Sequence, residues 1–138
     1  MIIGPGKYTK DKSIRPDGIM LTMPNMFFED RGWSVDQFKM YFKKFMAGED
    51  NTWNYRLTNL PTLDFAWVYL VFDKQVQFRL NLVMIERNVT KVFNDGPDHK
   101  TRTFPNANWI ILSGPAIEPP YEWPQKGFQG FRYTTKLF

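Results

Sequence analysis

The strongest periodic signal in the chain is helical. Val35, Phe38, Tyr41, Phe42, Phe45 and Met46 recur at three- and four-residue spacing, and Lys39, Lys43 and Lys44 fall off that stripe. Ser34 precedes the stripe and Gln37 sits three residues later, the pattern of a capping box. Trp33 and Phe38 occupy the flanking positions at which apolar side chains staple a helix start. The late lysines suit the negative end of the helix dipole, and Gly48 offers a left-handed terminator. The spacing predicts a helix over residues 35–47, with its aromatic stripe turned to the core.

Elsewhere the pattern is that of strands. Residues 18–23 form a short apolar run stopped by Pro24, and residues 65–72 are apolar almost throughout. Asp73-Lys74 then reads as a tight turn, without the Gly that such turns favour. Residues 75–87 begin by alternating, with Val76, Phe78, Leu80 and Leu82 on one face and Gln77, Arg79 and Asn81 on the other. The alternation breaks at Val83-Met84-Ile85, which predicts a bulge or burial on both faces. Residues 109–112 make another short buried strand closed by Ser113-Gly114-Pro115, and residues 125–133 lead into a last one. Between these lie a polar connection over 48–61, a loop over 94–105 and a proline-rich extended surface segment over 116–124 that carries Tyr121 and Trp123. Five or six strands around one core, with one helix capping an end, predict an α+β fold: a small mixed β-barrel with one main helix. Residues 1–17, with Gly4, Pro5, Gly6, Pro16 and the cations Lys7, Lys10, Lys12 and Arg15, read as a flexible basic arm, and residues 18–138 as a single domain.

Composition sharpens this picture in three ways. The length of 138 residues suits one core. The absence of Cys excludes disulfides and zinc–thiolate sites and fits a reducing, cytoplasmic setting. Neither the N-terminal residues nor the longest apolar run, residues 65–72, suggests a signal peptide or a membrane helix. Aromatics at 17% and a formal net charge of +4 combine stacking surfaces with cations, which is what a nucleic-acid site requires.

Catalytic patterns are scarce. His99 stands alone in a loop with Asp95 and Asp98 and reads as a solvated side chain rather than a base or ligand. Ser34 is committed to the cap, and Ser113 lacks a nucleophile-elbow context. Asp64, Asp73, Glu86, Asp95 and Asp98 show no paired metal spacing, and the glycines form no phosphate loop. No catalytic residue, metal or cofactor is expected.

The order of parts resembles the EVE branch of the PUA-like superfamily, whose relatives include ASCH and YTH domains. The resemblance covers about residues 18–88 and rests on the strand Ile19-Met20-Leu21-Thr22-Met23-Pro24, the helix start Ser34-Val35-Asp36-Gln37-Phe38-Lys39, the stretch Thr52-Trp53-Asn54-Tyr55-Arg56, and the strand Trp67-Val68-Tyr69-Leu70-Val71-Phe72 leading through a turn into its partner. Leu21-Thr22-Met23 stands where EVE domains carry Lys-Ser-Glu, and the Trp53 loop lacks their Gly-Val-Arg-Asn run. The resemblance implies a pseudo-barrel whose mouth takes a modified or flipped base of DNA or RNA. On that reading Trp53, Asn54 and Tyr55 line an aromatic base site, and Arg56, Arg79, Lys126 and Arg132 contact phosphate. Some ASCH relatives hydrolyse nucleosides with a Thr, Lys and Glu trio that has no equivalent here. The alternative is a small protein-interaction or inhibitor domain that uses the aromatic segment 115–131, since aromatics dominate interface hot spots.

Overall fold

The computed structural model describes residues 2–3, 18–23, 32–62, 64–94 and 101–134. Among these described residues seven strands and one helix follow one another as β1 (Ile2–Ile3), β2 (Gly18–Thr22), α1 (Val35–Phe45), β3 (Thr52–Leu57), β4 (Trp67–Phe72), β5 (Gln75–Phe93), β6 (Arg102–Ile117) and β7 (Phe131–Thr134). The strands form one mixed sheet in the order β1-β7-β2-β4-β5-β6-β3. Among the described strands only β2 and β4 pair in parallel. Ile2 and Ile3, within the expected arm, pair with Thr134 and Tyr133, whereas residues 4–17 and His99 lie outside the described residues.

The helix begins as its sequence dictates. The Ser34 hydroxyl accepts the Gln37 N–H, and the Gln37 side chain accepts the Ser34 N–H. Trp33 meets Phe38 with ring centroids 5.9 Å apart, as a staple should. The far end differs from expectation. Gly48 is not left-handed, and α1 stops two residues before the expected end. The carbonyl of Met46 instead accepts the N–H of Ala116 at 2.8 Å, so β6 satisfies the helix end that a glycine cap would have closed. Phe38, Phe42 and Met46 are buried to 0% exposure.

β4 is apolar throughout because both its faces are covered. Val68, Leu70 and Phe72 join Ile19, Leu21, Phe78, Leu80, Ile110 and Leu112 in the core beneath α1. Tyr69 and Val71 face the other way, into a second cluster with Met20, Val76 and Trp123. The proline-rich segment is therefore a cover and not a free surface strip. Trp123 is 3% exposed and packs at a tilt against Tyr69, ring centroids 5.3 Å apart, and only Tyr121 of its aromatics, at 38%, is open to solvent. Backbone bonds from Val76 N–H to the Trp123 carbonyl and from Gln125 N–H to the Lys74 carbonyl, each 2.9 Å, hold it down.

Three further segments correct the sequence reading. The polar connection over 48–61 contains β3, which pairs along its length with β6. The 109–112 strand and residues 102–105 of the 94–105 loop are parts of one strand of 16 residues, Arg102–Ile117, matched by a 19-residue β5. The register shift between Leu82 and Met84 lies where alternation failed. Asp73 and Lys74 form the two-residue hairpin turn with φ of 52° and 59°, the positive values that strand twist demands.

No ladder joins the outermost strands among the described residues, so the sheet is not closed by backbone hydrogen bonds and the expected barrel is not shown in that sense. The sheet is nevertheless tightly curled. β3 and β2 are four places apart in the order, about 19 Å if flat. Yet the Tyr55 hydroxyl on β3 donates to the Thr22 carbonyl on β2. What is shown is an α+β arrangement, a curled mixed sheet with one helix against its concave face.

Candidate functional site

The strand at Thr52–Leu57 decides the fate of the expected base site. Side chains alternate along it, so Trp53 and Tyr55 point to the concave core while Asn54 and Arg56 point away. The three expected base contacts do not share a face. Trp53 is half-buried, with its ring set edge-on to Phe42, Phe38 and Phe45 of α1 at 5.0, 6.2 and 6.3 Å. Its surroundings are those of a packing residue. Tyr55 ties β3 to β2 as described, and burial pushes its phenol up to about 12.

That tie makes a pH-dependent prediction. The unfolded phenol releases its proton near 10.0, whereas the folded one keeps it to about 12. Unfolding therefore releases a proton within that window, and stability falls as pH climbs through it. Tyr55→Phe is expected to cost about 1 kcal/mol at neutral pH through the lost hydrogen bond. Its gap from the parent should narrow between pH 10 and 12, measured by denaturant unfolding. A gap that stays constant to pH 12 would mean that the phenol is not held in the folded state.

The expected phosphate contacts fare differently. Arg132, Met20, Tyr69 and Arg79 are consecutive cross-strand partners, a straight row across β7, β2, β4 and β5 on the convex face. The two arginines stand about 14 Å apart at three strand spacings. Arg79 lies over the Trp67 ring at 4.4 Å, and Arg132 over the Phe128 ring at 4.7 Å. Lys126 is exposed on the segment that covers this face. Arg56 is distant from that row: it belongs with Trp109, its partner on β6, and lies over Phe104 at 4.7 Å. Two of the three helix lysines are engaged elsewhere. Lys43 and Lys39 reach Glu118 at 2.9 and 3.7 Å. The hydrogen bond from Lys43, aided by both charges, holds that carboxyl below its usual range.

An open groove of about 510 Å³ lies between the β3–β4 connection and β5. Leu60, Phe65, Leu82 and Ile85 give it an apolar floor, with Thr62, Asp64 and Arg87 at its polar edge. Thr62 N–H donates to the Tyr133 hydroxyl at 3.0 Å, which fixes the connection to β7. None of these groove residues stood out in the sequence except Asp64, read there only for metal spacing. Leu82 and Ile85 lie in a strand, and only their meeting with Leu60, Pro61, Thr62, Asp64 and Phe65 makes a groove. Among the described residues no three His, Cys, Asp or Glu side chains converge on a metal position, and no helix is long and apolar enough to cross a membrane.

No protein-family model, curated protein or solved structure matches this chain.

Proposed function

We propose that the chain is a nucleic-acid-binding module of PUA-like kind. In this reading the curled sheet is a pseudo-barrel, the groove beside Phe65 receives an unpaired or extruded base, and arginines hold the flanking phosphates. The observation that carries it is the setting of Arg56 and Arg132, each laid over an aromatic ring at 4.7 Å. A carboxylate partner would orient a guanidinium and cancel its charge. A ring orients it and leaves the charge in place for a phosphate. The groove volume of about 510 Å³ falls in the range of small-molecule sites and suits one nucleoside. The Phe65 ring offers a stacking surface, and Asp64 and Arg87 supply an acceptor and donors for a base edge.

The test is a titration of labelled single-stranded DNA, duplex DNA and RNA across a salt series. Affinity should fall linearly with salt on logarithmic axes, and replacing both Arg79 and Arg132 with Gln should flatten the slope by about 1.8. Phe65→Ala should weaken binding by about 1–3 kcal/mol with the salt slope unchanged, because stacking is lost and no phosphate contact is. Failure to bind all three nucleic acids at low salt would end the proposal.

A further inference from the structure

The groove beside Phe65 carries one acid and one base, and they come from its two walls. Asp64 belongs to the β3–β4 connection and Arg87 to β5, and both side chains are exposed. Neither charge is met inside the protein. Among the described residues the ion pairs join Lys39 and Lys43 to Glu118, and Lys91 to Glu86, and neither Asp64 nor Arg87 takes part in one. Glu86, the acid next to Arg87 in the chain, is held by Lys91 at 2.8 Å.

Both walls are fixed close to these side chains. Two residues before Asp64, the Thr62 N–H donates at 3.0 Å to the hydroxyl of Tyr133, a residue only 1% exposed. One residue after it, Phe65 packs partly on the main core, as does Ile85 on β5. Next to Arg87, Asn88 takes a φ of 57°, and its N–H is held by the Asn108 side chain at 3.1 Å. The groove therefore offers a half-buried ring, a carboxylate and a guanidinium on anchored backbone.

We infer, resting on the nucleic-acid reading above, that this groove selects guanine in an unpaired stretch of strand. A carboxylate beside a phosphodiester is unfavourable, because like charges repel. Its place in the groove calls for a ligand group that offsets the repulsion. Guanine presents two adjacent donors, N1–H and the N2 amino group, and an ionised carboxylate accepts both. Its O6 and N7 form the acceptor pair to which an arginine donates. Adenine and cytosine offer a carboxylate one amino donor beside a ring-nitrogen lone pair, which repels it. Thymine and uracil offer one N–H between two carbonyls. Guanine alone gives Asp64 and Arg87 two bonds each, while its ring stacks on Phe65.

The experiment titrates labelled thymine strands that carry one central guanine, adenine, cytosine or thymine. Two further strands carry inosine, which lacks the N2 amino group, or 7-deazaguanine, which lacks N7. The guanine strand should bind about tenfold or more tightly than the other three natural strands, with the two analogues between. Asp64→Asn should level guanine with inosine without weakening the thymine strand. Arg87→Lys keeps the charge and should level guanine with 7-deazaguanine at an unchanged salt slope. Melting midpoints are measured alongside, and the analogue strands test the contacts on the parent protein alone. Equal affinity for all four bases, or preference for another base, overturns the inference while salt-dependent binding keeps the nucleic-acid reading. A guanine preference that survives either substitution overturns it too. Guanosine monophosphate bound more tightly than the guanine strand would make the groove a free-nucleotide site and overturn the strand assignment. No binding of any strand at low salt removes both readings.

Discussion

Replacing Gly114 with Ala is expected to lower the melting midpoint by about 10 °C. Gly114 is buried on β6 against the end of α1, and a Cβ there would fall on the carbonyl oxygens of Met46 and Gly48. Overpacking a core costs about 1–3 kcal/mol when side chains can shift. Here the obstacle is backbone, so relief requires moving the helix end. That end is fixed to the same strand by the Ala116 N–H bond to Met46 at 2.8 Å, and the Gly114 carbonyl is itself held by the Asn81 amide at 3.0 Å. A cost of about 3 kcal/mol follows, at a few degrees per kcal/mol for a chain of this size. Thermal unfolding followed by near-UV circular dichroism reads the result. A midpoint within about 2 °C of the parent would mean that α1 does not dock on β6 at this point.

Trp53→Ala is expected to cost about 3 kcal/mol of stability and leave the nucleic-acid affinity of the folded fraction unchanged. The ring packs against three phenylalanines of α1, the nearest with its centroid 5.0 Å away, and truncation leaves a cavity beside Phe38 and Phe42. Trp53→Phe should recover part of the loss, because a smaller ring fills part of the space. Unfolding and binding are measured on the same two variants. Normal stability with weakened binding would return to Trp53 the base-stacking role that its sequence context suggested.

The two residues illustrate what strand geometry does to a sequence motif. Thr52-Trp53-Asn54-Tyr55-Arg56 reads as a cluster when taken as a loop, where neighbours can converge. Once it is a strand, a period of two sends Trp53 and Tyr55 inward and Asn54 and Arg56 outward. The strand is only six residues long and its pairing partner lies more than 50 positions along the chain, so the alternation of Trp53, Tyr55 and Leu57 with Thr52, Asn54 and Arg56 is a weak signal by itself. Pairing also set the length of β6. Residues 102–107 lack an apolar run, and they extend because β5 is there to pair with. Trp123 offers a similar lesson. Prolines on both sides mark an extended segment, but nothing local states whether an extended segment is exposed or laid over a sheet.

Local chemistry determined the helix start, since Ser34 and Gln37 satisfy one another's backbone within four residues. It also marked the burial of β2 and β4, the turn at Asp73-Lys74 and the bulge after Leu82, because composition and period act over neighbours alone. Tertiary structure decided the rest. It ended α1 on β6 instead of at Gly48, curled the sheet until Tyr55 met Thr22, lined up Arg132 with Arg79 across four strands, and opened a groove between β5 and the chain about Leu60 and Phe65. Each of these joins residues far apart in the chain, and their meeting depends on register and curvature, which are properties of the whole sheet and of no single segment.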